Sequence, residues 1–153
     1  MNLRVDLPDL SATDALGARL ARALQAPLVI GLIGDLGAGK TALVRALIQS
    51  LAPGTRVKSP TYTLIESYEL GALLVHHLDL YRLRHPEELT ELGLADVLGP
   101  ESVMLIEWPD KGGEETPTLD LAIHLFRLGD DARRAEFDAR TEAGRRFCER
   151  VAR

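Results

Sequence analysis

Cysteine is almost absent: Cys148 stands alone in a chain of 153 residues. This excludes an internal disulfide and a cysteine zinc site. Long apolar runs are missing as well, and no stretch approaches the roughly 18 residues of a membrane-crossing helix. The first residues include Arg4 and Asp6 and hold no apolar run of signal-peptide length. The expectation is a cytoplasmic protein with no membrane attachment. Positive charge is also short. Lys and Arg number 18 against 23 Asp and Glu, a net charge of −5. That argues against a broad basic face for DNA or RNA, although it leaves room for work on RNA through a partner. What remains is ordinary for a globular chain, 46% hydrophobic and 27% charged. The length suits one domain with a sizeable core, expected over residues 1–153.

The most informative segment lies near residue 34. Leu28-Val29-Ile30-Gly31-Leu32-Ile33 is a continuous apolar run between Pro27 and Gly34, the pattern of a buried parallel strand. Gly34-Asp35-Leu36-Gly37-Ala38-Gly39-Lys40-Thr41 follows, which is G-x-x-x-x-G-K-[ST], the phosphate-binding P-loop. Leu43, Val44, Leu47, Ile48 and Leu51 then recur at helical spacing. Glycines let successive N–H groups converge on one anion, and the following helix adds its N-terminal dipole. Lys40 is placed for the β- and γ-phosphates and Thr41 for Mg²⁺. The expected nucleotide-binding set runs through Gly34, Asp35, Leu36, Gly37, Ala38, Gly39, Lys40, Thr41 and Ala42.

Around this unit the pattern predicts a strand at Leu3–Leu7 and a helix carrying Leu16, Leu20, Ala23 and Leu24, started by an S-x-x-D cap at Ser11 and Asp14. Strand composition spans Thr61–Leu70 and a buried strand Leu73–Leu80, with Gly71 as the turn between them. A short helix starts at His85–Glu88, a third buried strand covers Val103–Glu107, and a polar loop Lys111–Pro117. A hairpin joins Leu119–Leu128 to Arg133–Arg140 around Gly129-Asp130-Asp131, and a helix covers Glu142–Val151. The predicted class is α/β: a three-layer P-loop fold whose mixed sheet has a parallel core and antiparallel edge strands.

A P-loop needs a carboxylate to complete the Mg²⁺ shell. Glu107 ends Val103-Met104-Leu105-Ile106, and Asp79 sits in Leu78-Asp79-Leu80. Both are expected at the P-loop edge of the sheet, where ligands gather; the alternative for each is a solvated acid at a strand end. Ser59 and Thr61 flank Pro60 about 20 residues after Lys40, where related NTPases carry a γ-phosphate-sensing switch; a plain proline turn is the other reading. Trp108 is either a nucleotide contact or a packing residue. His76 and His77 point to opposite faces of a strand and cannot share a metal. For the pairs Arg133-Arg134 and Arg145-Arg146 a solvated face is preferred over contact with phosphate or RNA.

Taken in order, the P-loop, Ser59-Pro60-Thr61-Tyr62-Thr63-Leu64, His77-Leu78-Asp79-Leu80-Tyr81-Arg82, Glu91-Leu92-Gly93-Leu94 and Leu105-Ile106-Glu107-Trp108-Pro109 resemble the TsaE (YjeE) family. The resemblance covers residues from about 10 to 110; the hairpin and last helix match only in outline. It implies a slow ATPase that binds ATP and Mg²⁺ and is required for threonylcarbamoyladenosine in tRNA. It also implies action on the TsaB–TsaD complex, with tRNA met through that complex. Under it Lys40, Asp79 and Glu107 are the catalytic set, Thr41, Glu107 and Asp79 hold metal, Trp108 lies near the nucleotide, and Ser59 and Thr61 form the switch.

The main alternative is a small-molecule P-loop kinase. Such kinases carry an acidic substrate motif soon after the P-loop helix, and Arg56–Leu64 has no Asp or Glu. A GTPase needs [NT]-K-x-D; Lys40, Lys58 and Lys111, the only lysines, follow neither Asn nor Thr.

Overall fold

The structure is a computed structural model that describes residues 2–58, 60 and 63–153. In chain order the elements are β1 (Asn2–Leu7), α1 (Leu10–Ala23), β2 (Leu28–Ile33), α2 (Lys40–Leu51), β3 (Ile65–Leu70), β4 (Leu73–Asp79), α3 (Glu87–Glu91), α4 (Leu94–Val97), β5 (Ser102–Glu107), β6 (Leu121–Arg127), β7 (Arg133–Ala139) and α5 (Glu142–Ala152). A short 3₁₀ segment covers Pro109–Glu115. The strands form one seven-stranded sheet in the order β1-β7-β6-β2-β5-β4-β3. Strands β6, β2, β5 and β4 run parallel, whereas β1, β7 and β3 pair antiparallel at the two edges. This is the mixed sheet that the alternation of apolar runs and helical patterns predicted.

Strand parity divides the core into two clusters. Leu28, Ile30, Leu32, Val75, Val103 and Leu105 face α1, α2 and α5, where Leu16, Leu20, Leu43, Leu47, Phe147 and Val151 cover them. Val29, Leu78, Met104 and Ile106 face the other way, onto Leu80, Leu89 and Leu94. Because successive side chains alternate, His77, Asp79 and Glu107 fall on the α2 side and His76 on the other. His76 there pairs with Ser67 Oγ at 2.7 Å across the β3–β4 register.

Three local expectations are corrected. Helix α1 is capped by Asp9, whose carboxylate accepts from Ala12 N at 2.8 Å. It therefore starts one residue before Ser11, and Ser11 and Asp14 lie inside it. Strand β3 begins at Ile65: Leu64, expected in the strand, adopts φ +63°, which interrupts extended backbone, and Thr61 and Tyr62 lie outside the described residues. The polar stretch Lys111–Pro117 is mostly wound into the 3₁₀ segment, fastened by the Thr116 hydroxyl on Pro109 O at 2.7 Å. No helix of the described residues is long and apolar enough to cross a membrane.

Candidate functional site

The loop between β2 and α2 is shaped by glycine. Gly37 and Gly39 have φ of +81° and +101°, a region costly for residues with a Cβ. At Gly34 a Cβ would come within 2.6 Å of Leu125 O, so the loop lies directly against β6. Gly39 caps α2 without any side-chain partner, which leaves the first N–H groups of the helix to an anion. Lys40 is only 5% exposed. Its ammonium donates to Gly34 O, and to Asp35 O at 3.0 Å, so the loop's own carbonyls hold it. Burial pulls its pKa below the ordinary lysine value, against the opposing pull of Glu107, Asp79 and Asp35.

The parallel register of β4 and β5 sets Asp79 beside Glu107 at the carboxyl ends of the two strands. Glu107 is 2% exposed, and three contacts make that burial tolerable. Thr41 Oγ1 lies 3.1 and 2.9 Å from its two oxygens, and His77 Nε2 donates to Oε2 at 2.6 Å. Asp79 accepts Tyr81 N at 3.0 Å. Its pKa is raised, first by burial and further by the nearby Glu107 charge, with the Tyr81 N–H working in the opposite direction. Trp108 takes φ +56° immediately after β5. This turns its ring under Lys40, whose Nζ is 4.2 Å from the ring centroid, and against Tyr81 at 5.2 Å.

These groups surround a cleft of about 340 Å³. Leu36, Gly37, Gly39, Lys40, Thr41, Ala42, Asp79, Glu107 and Trp108, all marked from the sequence, line it. Gly34, Asp35 and Ala38 lie on the other side of the loop, toward His124 and Phe126. Ser59 and Thr61 lie outside the described residues. Sequence reasoning missed two neighbours. Tyr81 lines the cleft, 41% exposed; it stood in the quoted His77–Arg82 motif without a role. His77 is fully buried beneath Glu107. Its signal was its even spacing from Asp79, which puts both on one face.

The set Thr41, Glu107 and Asp79 offers hard oxygen donors, the kind Mg²⁺ prefers. Two acids side by side at one strand edge favour a cation between them. A glycine loop, a free helix N-terminus and a buried lysine suit a polyphosphate. The residues present therefore fit both groups.

A strand, a glycine loop and a helix at the parallel core of a mixed sheet, with acids at neighbouring strand ends, define a P-loop protein. The model of the family described as "Threonylcarbamoyl adenosine biosynthesis protein TsaE" matches residues 7–135. The chain belongs to the TsaE family. It is 43% identical over 118 residues to the tRNA threonylcarbamoyladenosine biosynthesis protein TsaE of Haemophilus influenzae, covering 77% of this chain and 74% of that one. It is 37% identical over 125 residues to the Bacillus subtilis protein of the same name, covering 82% and 78%. The crystal structure of Bacillus subtilis YdiB superposes with a TM-score of 0.79 at 31% identity, over 99% of this chain and 95% of that one.

Proposed function

We propose that the chain is a Mg²⁺-dependent ATPase that hydrolyses ATP slowly in the threonylcarbamoyladenosine modification of tRNA. It acts on the TsaB–TsaD complex and meets tRNA through it. The observation that carries the reading is the convergence of Lys40, Thr41, Glu107 and Asp79 on the cleft beneath the P-loop. The names of the relatives support the pathway.

In this reading the P-loop N–H groups and Lys40 take the phosphates, Lys40 exchanging the carbonyls of Gly34 and Asp35 for phosphate oxygens. Thr41 and Glu107 would hold Mg²⁺, and Asp79 would serve as a second metal-site acid or a switch-coupled one. The ion neutralises charge on the β- and γ-phosphates when bound. Glu107, oriented by His77, also aligns the attacking water. Trp108 offers its ring to the nucleotide. Ser59 and Thr61 carry the switch role on sequence grounds. The partner docks over the cleft mouth and raises turnover, because no arginine holds a marked finger position and such a group contributes about 10³-fold or more. The 153 residues act as one cytoplasmic domain.

The test is steady-state ATP hydrolysis by the chain alone, with TsaB–TsaD, and with the pair plus tRNA. Low intrinsic turnover stimulated by the pair is expected. A high rate that the partners leave unchanged overturns the reading.

A further inference from the structure

Arg133 and Arg134 are neighbours that the sequence reads alike, as a solvated face. Arg134 fits that reading: it pairs with Asp6 at 3.1 Å on the surface. Arg133 does not. It opens β7, opposite Arg127 at the last rung of the β6–β7 hairpin. Its Nη1 donates to three carbonyls of the hairpin turn: Gly129 at 2.9 Å, Asp130 at 3.1 Å and Ala132 at 2.9 Å. The other edge of the guanidinium crosses to the P-loop. Nε donates to Ala38 O and Nη2 to Gly37 O, each at 3.1 Å. One planar cation thus ties together two loops 95 residues apart in the chain.

We infer that Arg133 is a positioning residue that fixes the P-loop from its outer side and so pre-sets it for a phosphate. The inference rests on the nucleotide reading above. The carbonyls it holds, Gly37 O and Ala38 O, belong to the same peptide planes as the N–H groups of Ala38 and Gly39. In a trans peptide the N–H points opposite to the C=O. Pinning the two carbonyls outward turns both N–H groups toward the inner side of the loop. The Ala38 N–H meets Asp35 O there at 3.0 Å. Gly39, at φ +101°, is a glycine free to swing away, and Arg133 Nε lies 3.6 Å from where its Cβ would be. Arg133 is not among the residues lining the cleft, so it acts through the loop. A lysine keeps the charge but lacks the fork that spans two carbonyls and a turn at once.

The experiment compares wild type, R133Q, R133K and R134A. It measures ADP affinity by calorimetry with Mg²⁺, kcat and KM for ATP, and hydrogen exchange of the amides of residues 36–39 without nucleotide. Losing two hydrogen bonds to the loop predicts about tenfold weaker ADP binding and a matching rise in KM for R133Q, with kcat within about threefold. Amide exchange at residues 36–39 rises about tenfold while exchange in β6 stays unchanged, a pattern that general loosening of the hairpin does not produce. R133K stays close to R133Q, and R134A matches wild type. Unchanged ADP affinity and unchanged P-loop exchange in R133Q overturn the inference, as does full rescue by lysine. Wild-type protein that binds no ADP overturns the nucleotide reading; the exchange data then still decide whether Arg133 fixes the loop.

Discussion

The P-loop stands between two walls of opposite construction. On one side the ends of β4 and β5 deliver the side chains of Asp79, Glu107 and Trp108 into the cleft. On the other, β6 and β7 deliver none. That wall touches the loop only from behind, through Leu125 O close against Gly34 and Arg133 on the carbonyls of Gly37 and Ala38. In the proposed function the first wall carries chemistry and the second carries geometry. The difference follows from strand ends. Strands β4 and β5 open their carboxyl ends to a ligand, whereas β6 and β7 close into a hairpin and meet the loop through one backbone oxygen and one arginine.

The comparison breaks most visibly at Lys40. K40A is expected to lower ATP hydrolysis at least about 100-fold and to weaken triphosphate binding, since it removes the cation aimed at the phosphates; turnover assays and calorimetry check this. E107Q follows. It keeps the shape and removes the charge that faces Thr41 and His77. Turnover is expected to fall about 100-fold, and half-maximal activity to need more Mg²⁺ in a metal titration, with the fold retained by circular dichroism. Wild-type activity in E107Q would mean that the acidic wall carries no chemistry.

Behind the other wall, the expected loss is stability rather than rate. Asp120 accepts Val29 N at 2.8 Å and the Thr141 hydroxyl at 2.6 Å, and Thr141 caps α5. D120A removes both bonds. About 2 kcal/mol of stability is lost, a melting point lower by roughly 5 °C for a chain of this size. At 25 °C kcat is unchanged, and a matching loss of kcat would erase the distinction between the walls. Smaller still is the optical effect of ADP on Trp108, the only tryptophan. Its emission is expected to change on titration with ADP and less with GDP; equal responses count against adenine preference. Last comes Cys148, fully buried in α5. Burial raises its thiol pKa, which lowers the thiolate fraction that reacts. Alkylation is expected to be slow in the folded protein and rapid in denaturant. Fast labelling of the folded chain would reveal opening on the hairpin side.

Much of the first wall was legible in the sequence. Apolar runs ending in Asp79 and Glu107, and a glycine loop ahead of a helical pattern, are local signals. Strand parity and the ligand-binding edge of a parallel sheet turn them into positions in space. The family resemblance extended that reading to Trp108 and to the tRNA pathway. His77 was half legible: its face could be read, but not its hydrogen bond to Glu107, which depends on β4 lying next to β5. Tyr81 was not legible as a cleft residue, because its place beside Trp108 depends on how two segments meet in space.

By itself the sequence determined the class of fold, the P-loop, the strand-end acids and the family, because each depends on local patterns and on their order along the chain. The tertiary structure alone decided that Glu107 is held by Thr41 and His77 together, and that Arg133 and Arg134 part ways. The physical reason is the same in each case. A hydrogen bond is a match between two partners, and one strand's pattern says which face a side chain takes but not which distant backbone will meet it there. For Arg133 that backbone lies 95 residues away.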